Sequence, residues 1–395
     1  MSNNLWCPLL YRSILTENDG SYRTCCHGQE IAVTEQGLPM TRLTHSVSDV
    51  FNSDWLNKIR KDIEQGHRHS NCDYCWHLED AGVESFRQTN LKSLGDRDQT
   101  PQLEILDLSL GNQCNLKCRT CTPEDSSLWV RETYDLEHIE MSYNDYQRKM
   151  IILEKDDSNF FQDLVKNLKT VKIIKMFGGE PFMMRRTWQL LRSAVEQGYS
   201  KDIELYFNTN CTFWEEDNVQ LFDEFKRVDI GLSIDGVGAR FEYMRHPAKW
   251  DQVYSNIEKI AQWRDKRTDS RTVFLTHTVS AYNAWYVEEA VELAEQFNLQ
   301  LYINLCLQDW DTFAIHHLPT DVKQAVNSKL ESLKDSKHWS EIKKLVDYPS
   351  SGQDCNNWLA EAAKRDKYRN ESFKETFPEY YQILGSLGKL DDTSI

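Results

Sequence analysis

Hydrophobic and polar positions alternate regularly through most of the chain after residue 102. Short runs of β-branched, aliphatic and aromatic residues are followed by longer segments whose apolar residues recur every three or four positions. The short runs predict strands, and the longer segments predict amphipathic helices. Strands that alternate with helices favour a parallel sheet with helices packed on it, an α/β fold. The predicted strands are 103–110, 171–177, 203–207, 228–234, 272–279 and 299–305, and the clearest helices are 160–169, 186–197, 251–264 and 285–297.

The two ends of the chain have different patterns. Residues 1–92 are rich in cysteine and turn signals, and the polar segment 93–102, with its Gly and Pro, predicts a linker. After residue 310 only helices are predicted, over 320–346 and 354–384. The predicted domains are therefore 1–92, 93–102 as a linker, 103–310 as the α/β domain and 311–395 as a helical C-terminal extension.

Two local features in these end regions predict definite structure. A helix is expected after Ser53, which can cap it, and Gly66 is expected to end it. Its apolar face would be formed by Leu56, Ile59 and Ile63. The aromatic and charged segment 373–381 either covers the open side of the sheet or forms a solvent-facing tail.

Composition and charge restrict the class of protein. The chain has 395 residues, 40% of them hydrophobic, which is enough for a sizeable core, and a formal net charge of −16. Such an acidic chain is not expected to bind nucleic acid or an anionic membrane nonspecifically. Because no apolar run is long enough to span a bilayer and the N-terminus lacks a signal-peptide pattern, we expect a cytoplasmic protein. In that compartment, its eleven cysteines indicate metal binding or reactive thiols before disulfides.

The most informative cysteines follow the first predicted strand of the α/β domain. Cys114, Cys118 and Cys121 form a C-x3-C-x2-C loop. Three thiolates on one loop can bind one metal centre and leave its fourth coordination position open, as in a 4Fe–4S cluster with one exposed iron. Structural thiols or a zinc site are the alternatives, although zinc sites usually show two ligand pairs.

A second group of cysteines lies in the N-terminal 92 residues. Cys72 and Cys75 form a C-x2-C pair, which presents two thiolates to one iron or zinc ion. Folding of the chain could bring Cys7 and Cys25 to the same centre, and the adjacent Cys26 leaves the choice between the last two open. Structural zinc and unliganded thiols remain alternatives.

The C-x3-C-x2-C loop, combined with Gly178-Gly179-Glu180-Pro181 after the second predicted strand, resembles the signature of the radical S-adenosylmethionine (radical SAM) superfamily. This resemblance implies a partial (β/α)6 barrel in which the open iron of the cluster binds SAM. Glu180 and the carbonyls of its turn would accept hydrogen bonds from the SAM ammonium group. One family feature is altered, since Thr120 stands where an aromatic residue usually borders the adenine.

The ends of the next two predicted strands carry further residues expected at the cofactor. Asn208 and Asn210 would reach the ribose, or they form a plain turn. The segment from Ser233 to Asp235, followed by Arg245, resembles a segment common in radical SAM enzymes with auxiliary clusters. Ser233 and Arg245 would hold the SAM carboxylate, since a guanidinium can pair with it through two hydrogen bonds. An ion-paired or solvated Arg245 is the alternative.

The N-terminal cysteines resemble a SPASM/twitch auxiliary domain. The matching positions are Cys7, Gly20, Cys25, Cys72 and Cys75. The resemblance implies one auxiliary 4Fe–4S cluster in a twitch-like domain. Its position is a departure, because in most such enzymes this domain follows the barrel.

These features together predict an enzyme that cleaves SAM reductively and removes a hydrogen atom from a substrate through a 5′-deoxyadenosyl radical. We expect a peptide or protein side chain as substrate, with a small metabolite as the alternative, and a flavodoxin or ferredoxin as reductase. Cys211 and Cys306 follow predicted strands and are either hydrogen donors or packed hydrophobic residues. Asp235, Tyr302 and Asn304 are further candidates for substrate contact. A non-enzymatic iron–sulfur or zinc interaction protein is the alternative from another class.

Overall fold

The computed structural model describes residues 5–95, 100–151, 158–307, 312–350 and 357–390. Cys355, expected to be a structural thiol, lies outside the described residues. No helix in these ranges combines the length and the apolar character needed to cross a membrane.

Eight strands in the described residues form one sheet in the order β2-β1-β3-β4-β5-β6-β7-β8. β1 runs parallel to β3, β3 to β4, β4 to β5 and β7 to β8, whereas β1 and β2 are antiparallel. The strands are β1 Ser13–Thr16, β2 Tyr22–Arg23, β3 Ile105–Ser109, β4 Ile173–Phe177, β5 Glu204–Thr209, β6 Arg227–Ser233, β7 Arg271–Val279 and β8 Gln300–Leu305. The α/β class is confirmed, and each of the six predicted strands is present.

Helices occupy the segments between these strands and the C-terminal region. Those before and within the sheet are α1 Pro8–Arg12, α2 Val47–Phe51, α3 Asp54–Glu64, α4 Asp73–Asp80, α5 Phe86–Leu94, α6 Trp129–Leu136, α7 Tyr143–Met150, α8 Ser158–Asn167, α9 Arg185–Glu196, α10 Glu216–Val219, α11 Ala239–Met244, α12 Trp250–Asp265 and α13 Val287–Gln296. Those after the sheet are α14 Thr320–Leu330, α15 Trp339–Asp347, α16 Asn357–Arg369, α17 Phe373–Thr376 and α18 Pro378–Ser386.

The chain divides into two compact units that interleave along the sequence. The first comprises residues 1–115, 123–208 and 215–229, and the second comprises residues 116–122, 209–214 and 230–395. Within the first unit, β1 pairs with β3, so the N-terminal segment contributes strands to the sheet. The sequence pattern did not indicate β1 or β2, because both are very short. The boundaries at 92, 102 and 310 stay predictions.

The helix predicted after Ser53 is confirmed as α3. The Ser53 hydroxyl accepts a hydrogen bond from the Leu56 amide and caps the helix. The positive φ of 79° at Gly66 ends it, as only glycine adopts that conformation freely. The predicted apolar face is buried, and it comprises Leu56, Ile59 and Ile63.

In the second unit, the C-terminal helices form an aromatic core. Phe373 and Phe377 pack with ring centroids 4.9 Å apart, and Phe377 is fully buried. The ring of Phe377 also lies 5.2 Å from that of Tyr243, on α11. The alternative of a solvent-facing tail over 373–381 is therefore wrong, because these rings are removed from water.

Candidate active site

The three-cysteine loop is anchored by backbone hydrogen bonds in its second-unit part. The Lys117 amide donates to the His246 carbonyl at 2.7 Å, and the Arg119 amide donates to the Met244 carbonyl at 2.7 Å. Within the loop, the Cys121 amide donates to the Cys118 carbonyl at 3.1 Å. These bonds fix the loop against the end of α11, which places Cys118 in a buried position and leaves Cys121 partly exposed.

Arg119 attaches this loop to the C-terminal helices. Its side chain is fully buried, and one terminal nitrogen lies 2.5 Å from an Asp366 carboxylate oxygen and 2.6 Å from a Glu371 oxygen. The guanidinium also lies 3.9 Å from the centre of the Tyr243 ring. A second oxygen of Glu371 contacts Nδ1 of His246 at 2.6 Å. Such a network orders a loop only when all its members are present, since a buried unpaired charge is strongly unfavourable.

An arginine beside Cys118 changes the electrostatics of the loop. Arg245 Nη1 lies 3.8 Å from the Cys118 sulfur, and Arg245 Nη2 lies 2.8 Å from an Asp235 oxygen. The pKa of the Cys118 thiol is lowered, mainly by a hydrogen bond with Cys121 and further by the positive charge of Arg245. The site therefore favours the thiolate, the form that ligates iron.

The sequence analysis expected Arg245 to hold the SAM carboxylate or to be ion-paired. The structure shows the ion pair, with Asp235 also accepting a hydrogen bond from the Thr278 amide at 2.9 Å. A role of Arg245 and Asp235 toward SAM stays a prediction. What the pair does in this structure is to hold a cation next to a cysteine sulfur.

In the first unit, the turn at 178–181 packs against the start of the cysteine loop. Gly178 and Gly179 have φ values of 75° and 50°, in the left-handed region that favours glycine. A Cβ on Gly179 would overlap the carbonyl of Gln113, the residue before Cys114. The Glu180 amide donates to that same carbonyl at 2.8 Å. The two glycines are therefore required for this close approach.

The Glu180 carboxylate is buried under this turn. It accepts a hydrogen bond from the Phe182 amide at 3.0 Å, and the residue is 1% exposed. Pro181, the next residue, is also buried. The predicted contacts of this turn with the SAM ammonium group stay predictions.

The asparagines after β5 have different surroundings. Asn208 is exposed, whereas Asn210 is buried, and its side-chain oxygen accepts a hydrogen bond from the Thr212 amide at 2.9 Å. That bond is the plain turn given as the alternative to ribose binding. Ser233, at the end of β6, is partly exposed.

The two cysteines considered as hydrogen donors are both buried. Cys211 is fully buried with a φ of 62°, and its carbonyl accepts a hydrogen bond from Asn256 at 2.8 Å. Cys306 is 7% exposed. Their burial matches the packed-hydrophobe alternative, and the donor role stays a prediction. Tyr302 and Asn304 are exposed on β8.

Four N-terminal cysteines meet around one pocket in the first unit. The pocket has a volume of about 390 Å³, and its lining includes Cys7, Cys25, Cys72 and Cys75 together with apolar residues such as Phe86. Cys26 is exposed and is not part of this lining. The sequence left the choice between Cys25 and Cys26 open, and the structure places Cys25 with the other three.

The environment of these thiols fits a cationic guest. Burial raises the pKa of Cys7 to about 12, and the neighbouring Cys25 adds to this shift by charge repulsion. The pKa values of Cys25 and Cys72 are raised by burial as well, with the charge of Cys75 adding to both. Four thiolates so close to one another need positive charge between them, which an iron–sulfur centre or a metal ion provides.

Hydrogen-bond donors surround the pocket sulfurs. The amides of Leu9 and Leu10 point at Cys7, which precedes the short helix α1. The amides of His27 and Gly28 do the same for Cys25. Hydrogen bonds to the sulfurs are one of the ways in which proteins tune an iron–sulfur centre.

Within the described ranges, no three His, Cys, Asp or Glu side chains are arranged around the position of a single metal ion. A 4Fe–4S cube is wider than an ion, because each cysteine binds a different iron at a corner. The ligand assignments at both cysteine sites stay predictions.

The central part of the chain matches a known family. Residues 108–294, which include the cysteine loop and the strands from β4 to β7, match the Radical SAM superfamily. These residues form a radical SAM domain. The protein is accordingly an enzyme, and its radical SAM domain implies SAM and one 4Fe–4S cluster as cofactors. The alternative of a non-enzymatic iron–sulfur or zinc protein is therefore wrong.

Two solved structures illustrate the likeness outside this family match. Streptococcus suis SuiB bound to S-adenosylmethionine shows 13% identity, covers 71% of this chain with 49% of its own, and has a TM-score of 0.36. The structure titled anSMEcpe with bound AdoMet shows 18% identity, covers 60% of this chain with 59% of its own, and has a TM-score of 0.39. The chain thus spans only about half to three fifths of their lengths. No curated protein matches the chain.

Sequence reasoning missed the residues that hold the loop in place. Arg119 lies between two cysteines and was read only as part of the spacing. Its partners Asp366 and Glu371 belong to a region predicted as helices without a function. An arginine inside a cysteine loop was the one available signal, and nothing local pointed to its partners.

Proposed function

We propose that this radical SAM enzyme carries two 4Fe–4S clusters and removes a hydrogen atom from its substrate. Cys114, Cys118 and Cys121 would hold the SAM-binding cluster, and Cys7, Cys25, Cys72 and Cys75 the auxiliary one. When bound, the first cluster supplies the electron that cleaves SAM to methionine and a 5′-deoxyadenosyl radical. The convergence of four distant cysteines on one pocket is the observation that carries the two-cluster proposal.

The residues around the first cluster have defined tasks in this proposal. Glu180 and its turn accept hydrogen bonds from the SAM ammonium group, while Ser233 and Arg245 bind the carboxylate. Asp235 holds Arg245 in position through their 2.8 Å ion pair. Asn208 faces the ribose, and Arg119 holds the loop that presents the cluster.

The auxiliary cluster favours net oxidation, crosslinking or epimerisation as the overall reaction. A second redox centre can accept an electron from a substrate-derived radical. We propose a peptide or protein side chain as substrate, with a small metabolite as the second candidate. A flavodoxin or ferredoxin would supply electrons, and neither nucleic acid nor a membrane is a partner.

Anaerobic reconstitution tests the proposal. The native protein should bind about eight iron atoms, consistent with two 4Fe–4S clusters, and should release 5′-deoxyadenosine from SAM after reduction. A variant with all three loop cysteines changed to alanine should keep about half of the iron and form no 5′-deoxyadenosine. Product formation by that variant would refute the assignment.

A further inference from the structure

Three polar side chains lie side by side across the sheet of the first unit. Asp107 of β3 is in register with Lys175 of β4, and Lys175 is in register with Tyr206 of β5. Side chains at paired positions of parallel strands point to the same face of the sheet. All three are partly exposed, whereas Ile174 and Met176, on the other face of β4, are buried. The row therefore marks the more open, polar face.

Asp107 and Lys175 carry opposite charges but do not neutralise each other in an ion pair. In the part of the chain that the structure describes, neither side chain makes a hydrogen bond or salt bridge with a protein group. Burial raises the pKa of the Asp107 carboxyl to about 6, the charge of Lys175 opposes this shift, and Glu17 adds to it. The carboxylate is thus largely removed from water without gaining a donor.

This arrangement is unfavourable for the fold at neutral pH. A carboxyl whose pKa is raised in the folded state contributes stability only at low pH, and loses that contribution as the pH rises through about 6. The ionised Asp107 therefore destabilises the protein at pH 7. Charged groups in such unfavourable positions are common where a ligand supplies the missing partner.

The pair lies close to the four-cysteine pocket. The Cys26 thiol is near enough to Asp107 and Lys175 for both charges to act on its pKa, in opposite directions. Cys25, the next residue along the chain, lines the pocket. A molecule bound at Asp107 and Lys175 would therefore lie beside the proposed auxiliary cluster.

We propose that Asp107 and Lys175 bind the substrate, with Asp107 accepting hydrogen bonds from its ammonium group and Lys175 pairing with its carboxylate. A carboxylate only accepts hydrogen bonds and a lysine ammonium only donates them, so the pair selects a ligand with both opposite groups. That chemistry belongs to an amino acid, either free or at the ends of a short peptide. This inference rests on the proposed function and narrows its substrate class.

The test is a binding measurement on the reconstituted holoenzyme by saturation-transfer NMR and equilibrium dialysis. The probes are an equimolar mixture of the common L-amino acids, tetra-alanine with free ends, and tetra-alanine that is acetylated and amidated. We expect the first, the second or both to bind, and the blocked peptide not to bind. Asp107→Asn and Lys175→Gln should each weaken binding about tenfold to a hundredfold, the range of a hydrogen bond to a charged group.

Glu204→Gln provides the matched control. Glu204 lies on the same face of β5 as Tyr206, but it is already paired with Lys226 at 2.7 Å. Its loss should leave probe binding and 5′-deoxyadenosine formation at the native level. Thermal melts should show Asp107→Asn to be at least as stable as the native protein at pH 7, because the variant removes an unfavourable charge. A clear loss of stability would show a structural role for Asp107 and overturn the inference.

Two further outcomes would overturn it: equal binding of free and blocked probes, or native affinity in both Asp107→Asn and Lys175→Gln. Formation of 5′-deoxyadenosine by the native enzyme without probe binding would refute the inference and leave the proposed function intact. Probe binding that depends on Asp107, in an enzyme unable to cleave SAM, would refute the proposed function and leave the amino-acid site standing.

Discussion

The two cysteine sites reach their geometry in opposite ways. The loop site takes its three thiols from one stretch of eight residues, 114–121, whereas the pocket takes its four from positions 7 to 75. In the loop, the pKa of Cys118 is lowered by Cys121 and Arg245. In the pocket, burial raises the pKa of Cys7, and the other thiols add to the shift. The loop is thus prepared for a thiolate before any metal binds, and the pocket is not.

This difference indicates different roles. A site with a neighbouring arginine tolerates the charge changes of ligand binding and electron transfer at an open iron. A closed, apolar pocket lined by four cysteines leaves no position for a substrate at the metal. The comparison predicts that damage to the two sites will have separable effects.

Replacement of a loop cysteine should have the largest effect. Cys118→Ala removes a cluster ligand and should abolish 5′-deoxyadenosine formation, measured by anaerobic mass spectrometry of the products. Cys75→Ala is the matched control, since it removes a pocket cysteine and should leave SAM cleavage measurable. SAM cleavage at the native rate by Cys118→Ala would break the distinction between the two sites.

The pocket itself can be tested by its iron content. Cys25→Ala should lose about half of the iron of the reconstituted protein, as one of two 4Fe–4S clusters loses a ligand. Cys26→Ala should retain the native content, because its thiol lies outside the pocket lining. Equal iron loss in the two variants would show that the adjacent cysteines are interchangeable.

The attachment of the loop should be measurable as stability. Arg119→Met leaves Asp366 and Glu371 buried without their partner, and should lower the free energy of unfolding of the apoprotein by about 3–5 kcal/mol. Urea denaturation at pH 7 measures this change. Arg131→Met is the control, because its 2.8 Å pair with Asp135 is exposed and should contribute less than about 1 kcal/mol. Similar losses in both variants would contradict the buried network.

The smallest effect is expected at the helix that supports the pocket. Ser53→Ala removes the cap of α3 and should lower stability by about 1 kcal/mol. Because Arg60 of α3 donates to the Leu10 carbonyl of α1 at 2.8 Å, and Cys7 precedes α1, pocket iron should dissociate faster. Ser142→Ala removes the equivalent cap of α7 and should leave the iron unchanged. A chelator-release assay compares the two, and equal release would separate α3 from the pocket.

Local chemistry made part of this protein predictable. Periodicity predicted the six strands after residue 102, because side chains of a strand between helices alternate between a buried and a more open face. Spacing predicted the three-cysteine loop, since a few residues can span one metal centre without help from the rest of the chain. Gly178 and Gly179 were predicted as a point of close backbone approach, and Gln113 is the group they approach.

Other features depended on contacts between distant positions. β1 is four residues long and exists because β3 pairs with it, so no local pattern marks it. Cys25 and Cys26 are identical in sequence terms, and only the fold turns one into the pocket and the other away from it.

The sequence by itself determined the α/β class, the cysteine loop and the glycine turn, because each follows from backbone geometry or ligand spacing over a few residues. Tertiary structure alone decided the partners of Arg119, the choice of Cys25 and the register of Asp107 with Lys175. Those outcomes depend on which surfaces of the chain meet when it is packed, and a short window of sequence carries no record of its distant neighbours.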